Sequence, residues 1–226
     1  MRLLPPLEAR VLGVLVEKQA TVPDTYPMSL SALVAGCNQK TARAPVIEAT
    51  QAEVLTAVDG LKGLSLVFEG SGSRVVKFEH NLGRVLRVPA QSVALLAVLM
   101  LRGPQTAAEL RLNSERLHRF ADISSVEGFL DELAARTPPM VARLPRAAGE
   151  REARWAQQLC GEVALPAAGE GGEPASGGDR VGAGEIASLR AEQTRLADEV
   201  QALKALVHRL ARDLGVPAAP EPGDAL

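Results

Sequence analysis

The segment Asn38-Gln39-Lys40-Thr41-Ala42-Arg43 concentrates the residue types that read and hold nucleic acid. Asn and Gln side chains can pair bidentately with adenine edges, while Lys and Arg neutralise phosphates. A second set of cations follows. Arg111, Arg116, His118 and Arg119 fall within nine residues, and Arg143, Arg146, Arg151 and Arg154 come after them. Arg74 stands alone beside Gly72. Arginines on a β-hairpin can track a phosphate backbone or enter a minor groove. Each set also has a purely structural reading. Asn38 can cap a helix ending at Cys37, and Arg116 or Arg119 can pair with Asp122 or Glu127.

Enzymatic chemistry has no comparable support. His80, His118 and His208 are scattered over three regions, and no HExxH, CxxC, GxSxG or P-loop pattern occurs. Gly70-Ser71-Gly72-Ser73 lacks the Lys and helix that follow a phosphate loop, so it reads as a hairpin tip. Cys37 and Cys160 are far apart with no nearby partner and read as buried thiols of a reducing cytoplasm. Tyr26 and Trp155, each the only one of its kind, read as packing anchors. No catalytic residue, metal site or cofactor is expected.

The elements that must position these residues occur twice. One repeat runs from Leu7 to Glu79 and the other from Gln91 to Gln157, a period of roughly 84 residues. Each opens with an apolar helix, Leu7–Gln19 or Gln91–Leu101, then a short helix started by Ser29 or Thr106. The third helices share a pattern, Val54-Leu55-x-x-Val58-x-x-Leu61 against Val126-x-x-Phe129-Leu130-x-x-Leu133. Hairpins close both repeats, Leu66–Phe68 with Val75–Phe78, and Met140–Leu144 with Glu152–Trp155. Three helices and a two-stranded wing predict a winged helix-turn-helix in tandem, a mainly α fold with small β-hairpins, in the α+β class. So small a unit buries little apolar surface alone, so the two are expected to share a face.

Charge tempers the nucleic-acid reading. Residues 1–160 carry a net +3 and residues 161–226 a net −5, against −2 for the whole chain. Dedicated DNA-binding modules are often far more basic. The predicted exposed side of the first repeat's third helix is Gln51, Glu53, Thr56, Asp59 and Lys62, and the second's sets Glu127, Asp131 and Glu132 against Arg136. Such acidic helices repel a polyanion. Aromatic residues make up only 3% of the chain, which argues against single-strand or RNA recognition by stacking. No run of about 18 apolar residues exists, so no membrane span is expected.

The predicted organisation is a first winged-helix domain over 1–82, a second over 83–160, and a flexible linker over 161–184. A coiled-coil-like helix over 185–215 and a disordered tail over 216–226 follow. The linker reading rests on Gly, Ala, Glu and Pro content that cannot bury enough apolar surface to order itself. In the helix, Ile186, Val200 and Val207 fall at heptad a positions, and Leu189, Leu196, Leu203 and Leu210 at d, with Gln193 a polar a residue. That pattern favours a parallel two-stranded coil and hence a homodimer. Docking of this helix onto its own chain, or onto a different protein, stays open.

Several strings together resemble a known family. They are Leu7-Glu8-Ala9-Arg10-Val11-Leu12-Gly13-Val14-Leu15-Val16-Glu17-Lys18-Gln19, Pro23-Asp24-x-Tyr26-Pro27, and Cys37-Asn38-Gln39-Lys40 with Arg43-x-Pro45. Leu101-Arg102-Gly103-Pro104-Gln105-Thr106, Ser114-Glu115-Arg116-Leu117-His118-x-Phe120 and Leu144-Pro145-Arg146 continue the match. Over residues 6–160 the chain resembles the YceH-like family of bacterial proteins. The resemblance implies a tandem winged-helix fold, usually followed by a coiled-coil-like helix, and carries over no functional residues.

Two functions are consistent with these features. The first is a non-enzymatic cytoplasmic protein that binds double-stranded DNA as a coiled-coil-assisted dimer, regulatory or chromosome-associated. Its contacts would come from Asn38, Gln39, Lys40, Thr41, Arg43, Arg74, Arg111, Arg116, His118, Arg119, Arg146 and Arg151. The second is a scaffold that grips a protein partner through its acidic third helices and apolar grooves, without binding DNA.

Overall fold

The computed structural model describes residues 2–70, 75–146 and 152–161. Arg74, Arg151, both hairpin tips and the heptad residues from Ile186 to Leu210 lie outside the described residues. Among those described, seven α-helices combine with small antiparallel sheets in an α+β arrangement.

Local chemistry sets the helix limits. Helix α1 (Pro6–Thr21) starts with proline in its first turn, where the missing N–H costs no helical bond. Ser29 caps α2 (Leu30–Cys37) by accepting from the Ala32 N–H. Three capping boxes start further helices: Thr50 with Glu53 for α3 (Gln51–Gly63), Thr106 with Glu109 for α6 (Ala107–Asn113), and Asp122 with Ser125 for α7 (Ile123–Ala134). A short α4 (Leu82–Leu86) precedes α5 (Ala90–Arg102), which ends at Gly103 in a left-handed φ of 77°.

The strands are β1 (Met28–Ser29), β2 (Val67–Gly70) and β3 (Lys77–His80) in one sheet, and β4 (Val141–Arg143) with β5 (Trp155–Gln157) in another. β3 is central in the first sheet, pairing Met28 with Phe78 on one side and Val67 with His80 on the other. The second sheet has a counterpart of β1 reduced to one bridge between Gln105 and Trp155. The order helix, short strand, helix, helix, hairpin therefore appears twice, with Ser29 and Thr106 at matching places.

Strand limits differ from the sequence expectation by one to three residues. Leu66 belongs to the exit turn of α3, because its N–H bonds back to the Leu61 carbonyl after Ser65 adopts a left-handed φ of 58°. β1 and α4 were not expected at all; they are too short to carry a periodic signal.

The core is built around two helices that touch each other. Residues Glu8–Val16 of α1 and Ser92–Leu101 of α5 are buried without interruption. A helix apolar on every side must be covered on every side. α1 is enclosed by α2, α3, β3 and α5, and α5 in turn by α1, α6, α7 and β5. One continuous set of buried side chains, from Leu4 through Leu95 and Leu96 to Trp155 and Leu159, spans both repeats. The helices approach closely at Gly13, where an added Cβ would sit 3.0 Å from Leu101 Cγ and 3.4 Å from the Ala97 carbonyl oxygen. Further ties cross between repeats: Leu4 N–H donates to the Leu159 carbonyl (2.8 Å), and Ala44 N–H to that of Leu101 (2.8 Å). Arg136, at the end of α7, donates to the carbonyls of Leu86 and Arg87 (2.8 and 2.7 Å).

The first sheet is locked onto α1 through His80. Its backbone N–H donates to the Tyr26 hydroxyl (2.7 Å), and its Nε2 lies 2.7 Å from Gln19 Oε1. Nδ1 accepts from the Leu82 N–H, so Nε2 carries the proton and donates to Gln19. Burial pushes the His80 imidazole down to about 4 and the Tyr26 phenol up to about 12.

Two outcomes follow. Gly13→Val wedges α1 from α5 and should cost about 1–3 kcal/mol. Because the core is shared, thermal unfolding followed by circular dichroism should show one transition at lower temperature, not two separated ones. For His80, the unfolded chain binds a proton that the folded chain refuses between about pH 6.5 and about pH 4, so stability falls as pH drops through that window. His80→Gln should show a shallower loss in melting temperature over the same range; equal slopes would refute the assignment.

Candidate nucleic-acid interface

Residues 38–45 form a loop held from beneath by α1. Asn38 ends α2 as its C-cap, and its side chain clips the segment leading to α3: Nδ2 donates to the Ala49 carbonyl (2.9 Å) and Oδ1 accepts from the Ala49 N–H (2.8 Å). The structural reading of Asn38 is therefore the one the geometry gives, and both faces of its amide are engaged. Arg43 points inward. Its side chain is 0% exposed, pairs with Glu17 at 2.6 Å, and also donates to the carbonyls of Gly36 and Ala42. The expected phosphate contact from Arg43 is corrected accordingly, since a guanidinium enclosed by its own chain cannot reach a nucleic acid. Gln39 Oε1 accepts from Arg43 and Lys18, and its amide donates to the Thr41 hydroxyl (3.1 Å). Lys40 and Thr41 remain exposed, and Lys40 is the one cation this loop turns outward.

Two arginines and one carboxylate share this buried corner. Arg10 donates to the carbonyls of Cys37 (3.2 Å) and Pro45 (2.7 Å), and its buried Nε has no partner among the described residues. Burial and the neighbouring Arg43 charge lower the Arg10 pKa. Burial alone would raise that of Glu17, but the hydrogen bonds and charge of Arg43, with Lys18, outweigh it and hold the carboxylate below its usual range. Cys37, pushed up to about 11 by burial, is a protonated, unreactive thiol.

The second cation set divides. Arg154 pairs with Glu109 at 2.9 Å, and Arg143 stacks over the Trp155 ring at 5.9 Å. Arg111 donates to the Ala121 carbonyl (3.1 Å) and lies near Asp122. His118 sits edge-on to Phe120, with ring centroids 4.7 Å apart, as part of an aromatic cluster that includes Phe129. Arg116 and Arg119, in the turn between α6 and α7, are exposed, and neither joins an ion pair among the described residues. Arg146 is also exposed. The structure thus brings Arg111, Arg116 and Arg119 together around one turn. On α7, Glu127, Asp131 and Glu132 are exposed as expected, while Arg136 is spent on α4.

A feature the sequence reading missed lies over α3. Leu55 on the helix and Phe68, Val75 and Val76 on the hairpin are 41–57% exposed. Leu55, Val75 and Val76 line an open groove of about 440 Å³ between α3, the start of α2 and the hairpin. Its rim carries Asp59 and Glu69, both paired with Lys62. The available signal was the Val75-Val76 doublet, because two adjacent apolar residues in a strand cannot both face the core. Among the described residues, no helix is long and apolar enough to cross a membrane.

The buried pair allows a direct check. Arg43→Met leaves Glu17 without its main counter-charge and should cost about 3–5 kcal/mol in chemical denaturation, against a few tenths for exposed Lys40→Ala. Similar losses for the two variants would contradict the assignment of Arg43 to the interior.

Comparison with known proteins places this arrangement in a family. The model of a family described as "Protein of unknown function, DUF480" matches residues 4–150. A UPF0502 protein of Burkholderia multivorans is 67% identical over 226 residues, spanning 100% of this chain and 94% of the relative. One from Cupriavidus necator is 64% identical over 217 residues, spanning 96% and 89%. Another from Burkholderia ambifaria is 64% identical over 225 residues, spanning 100% and 94%. In keeping with the resemblance to YceH-like proteins, the chain belongs to the DUF480/UPF0502 family of bacterial proteins.

Proposed function

We propose that this chain is a non-enzymatic, cytoplasmic tandem winged-helix protein that acts as a protein-interaction module, dimerised through its C-terminal heptads. The twofold order of helix, short strand, helix, helix and hairpin supports the winged-helix reading. The observation that carries the interaction role is the groove over α3. That face is where a winged-helix unit would meet DNA, yet here it presents Leu55, Val75 and Val76 inside a rim where Lys62 is already paired with two carboxylates, Asp59 and Glu69. Phosphates would meet apolar side chains and a lysine already engaged by two carboxylates there, which is unfavourable. An apolar patch rimmed by polar groups is the usual mark of a protein contact.

DNA binding is the second reading, and one specific observation favours it. Arg116 and Arg119 are exposed without an ion-pair partner among the described residues, beside Arg111. With Lys40, Thr41 and Arg146 they make the contact set this reading retains.

One experiment separates the two. Full-length protein is used to capture partners from nuclease-treated lysate, alongside Leu55→Glu/Val76→Glu and Arg116→Ala/Arg119→Ala variants. A stoichiometric protein lost only with the groove variant is the expected result. The interaction role fails if the groove variant retains its partners. It also fails if the chain instead binds a mixed duplex with a salt slope that drops by about two units in the arginine variant.

A further inference from the structure

A second concavity, lined in part by His80, has no part in the interaction role above. It is an open cleft of about 420 Å³, within the range of small-molecule sites. Its walls come from the end of α1, from α4, from the start of α5 and from Leu117 after α6, so both repeats contribute. Val16, Val88, Val93 and Leu117 make most of the lining apolar. Three polar groups stand among them: Gln19, His80 and Arg84.

The polar groups are complementary to a single anionic head. Arg84 is exposed on α4, and among the described residues its guanidinium joins no ion pair. A guanidinium presents a fork that fits a carboxylate with two parallel bonds. The Gln19 amide N–H2 adds a neutral donor, and the His80 Nε2–H, donated to Gln19 Oε1, fixes that amide's orientation. One cation and one neutral amide donor match a monoanion, whereas a phosphate dianion would need more charge. The apolar walls call for a hydrocarbon body.

We infer that this cleft binds a small amphipathic monocarboxylate, its carboxylate at Arg84 and the Gln19 amide and its aliphatic or aryl-aliphatic body against Val16, Val88, Val93 and Leu117. Such a ligand touches both repeats at once. The residues that form the cleft come from 16–20, 80–94 and Leu117, which is why no motif announces it.

The test uses isothermal titration calorimetry on the full chain with two probes, 4-phenylbutyrate and its neutral counterpart 4-phenylbutanamide. The acid should bind the wild type in the sub-millimolar range and the amide about tenfold more weakly, the usual worth of a charge-assisted hydrogen bond. Arg84→Gln should weaken the acid about tenfold and leave the amide unchanged. Ala20→Phe, at an exposed wall position, should abolish both while leaving the melting temperature intact. The inference is overturned if the acid does not bind the wild type. Equal binding of acid and amide, or an acid affinity that neither substitution alters, would overturn it as well.

Discussion

The contact between α1 and α5 is the constraint on which everything else rests. Two helices buried over nine and ten consecutive residues cannot exist as surface elements of independent units. Each needs the other as cover, and Gly13 lets them come close enough to exclude water. The remaining elements are then arranged around a fixed pair of axes: α2, α3 and the first sheet on α1, and α6, α7 and the second sheet on α5. The tie from the Ala44 N–H to the Leu101 carbonyl has the same consequence. It connects a loop of one repeat to a helix end of the other, so surface residues such as Lys40 take their positions from both, while Arg136 fastens the end of α7 to α4.

That arrangement decides which charges face outward. In sequence, Arg10, Arg43, Arg136 and Arg154 look no different from Arg116 and Arg119. In the fold, the first three bond backbone carbonyls at loop and helix ends, and Arg154 is held by Glu109 and the Pro104 carbonyl. Guanidinium groups suit this work, because several N–H groups can satisfy several acceptors from one side chain. The net charge of the first 160 residues therefore overstates the cationic surface. Counting arginines is a poor guide where loops must be fastened to a core.

Much of the architecture was legible because its signals are local. Ser29 and Thr106 each announce a helix start and act as N-caps, as Thr50 and Asp122 also do in the fold. The apolar content of Val11–Val16 and Val93–Leu101 goes beyond what a one-sided helix requires, which already implies mutual burial. The failures were non-local. Nothing near Arg43 says that Glu17, 26 residues away, will enclose it. Nor does Leu55 reveal that its neighbours across the groove are Val75 and Val76, since helical spacing alone assigns a leucine to the core. β1 pairs with a strand some 50 residues later, and two residues cannot show a period.

The repeats share their framework yet differ on the surface. Caps, bridge strand and core helices recur at matched positions, whereas the groove over α3 is apolar with Asp59, Lys62 and Glu69 on its rim and the α6–α7 turn is cationic. Framework positions are restricted by packing in both copies alike: a change at Leu15 or Leu96 is felt by the whole core. Positions such as Leu55, Arg116 and Arg119 have no such restriction, because exposed substitutions cost little stability. Exposed leucine, phenylalanine and valine side chains gain nothing from water and add risk of association. Such side chains occur in both repeats, Leu112 and Ile123 in the second included, so exposure alone decides nothing. What supports the proposed contact is that Leu55, Val75 and Val76 line one groove together.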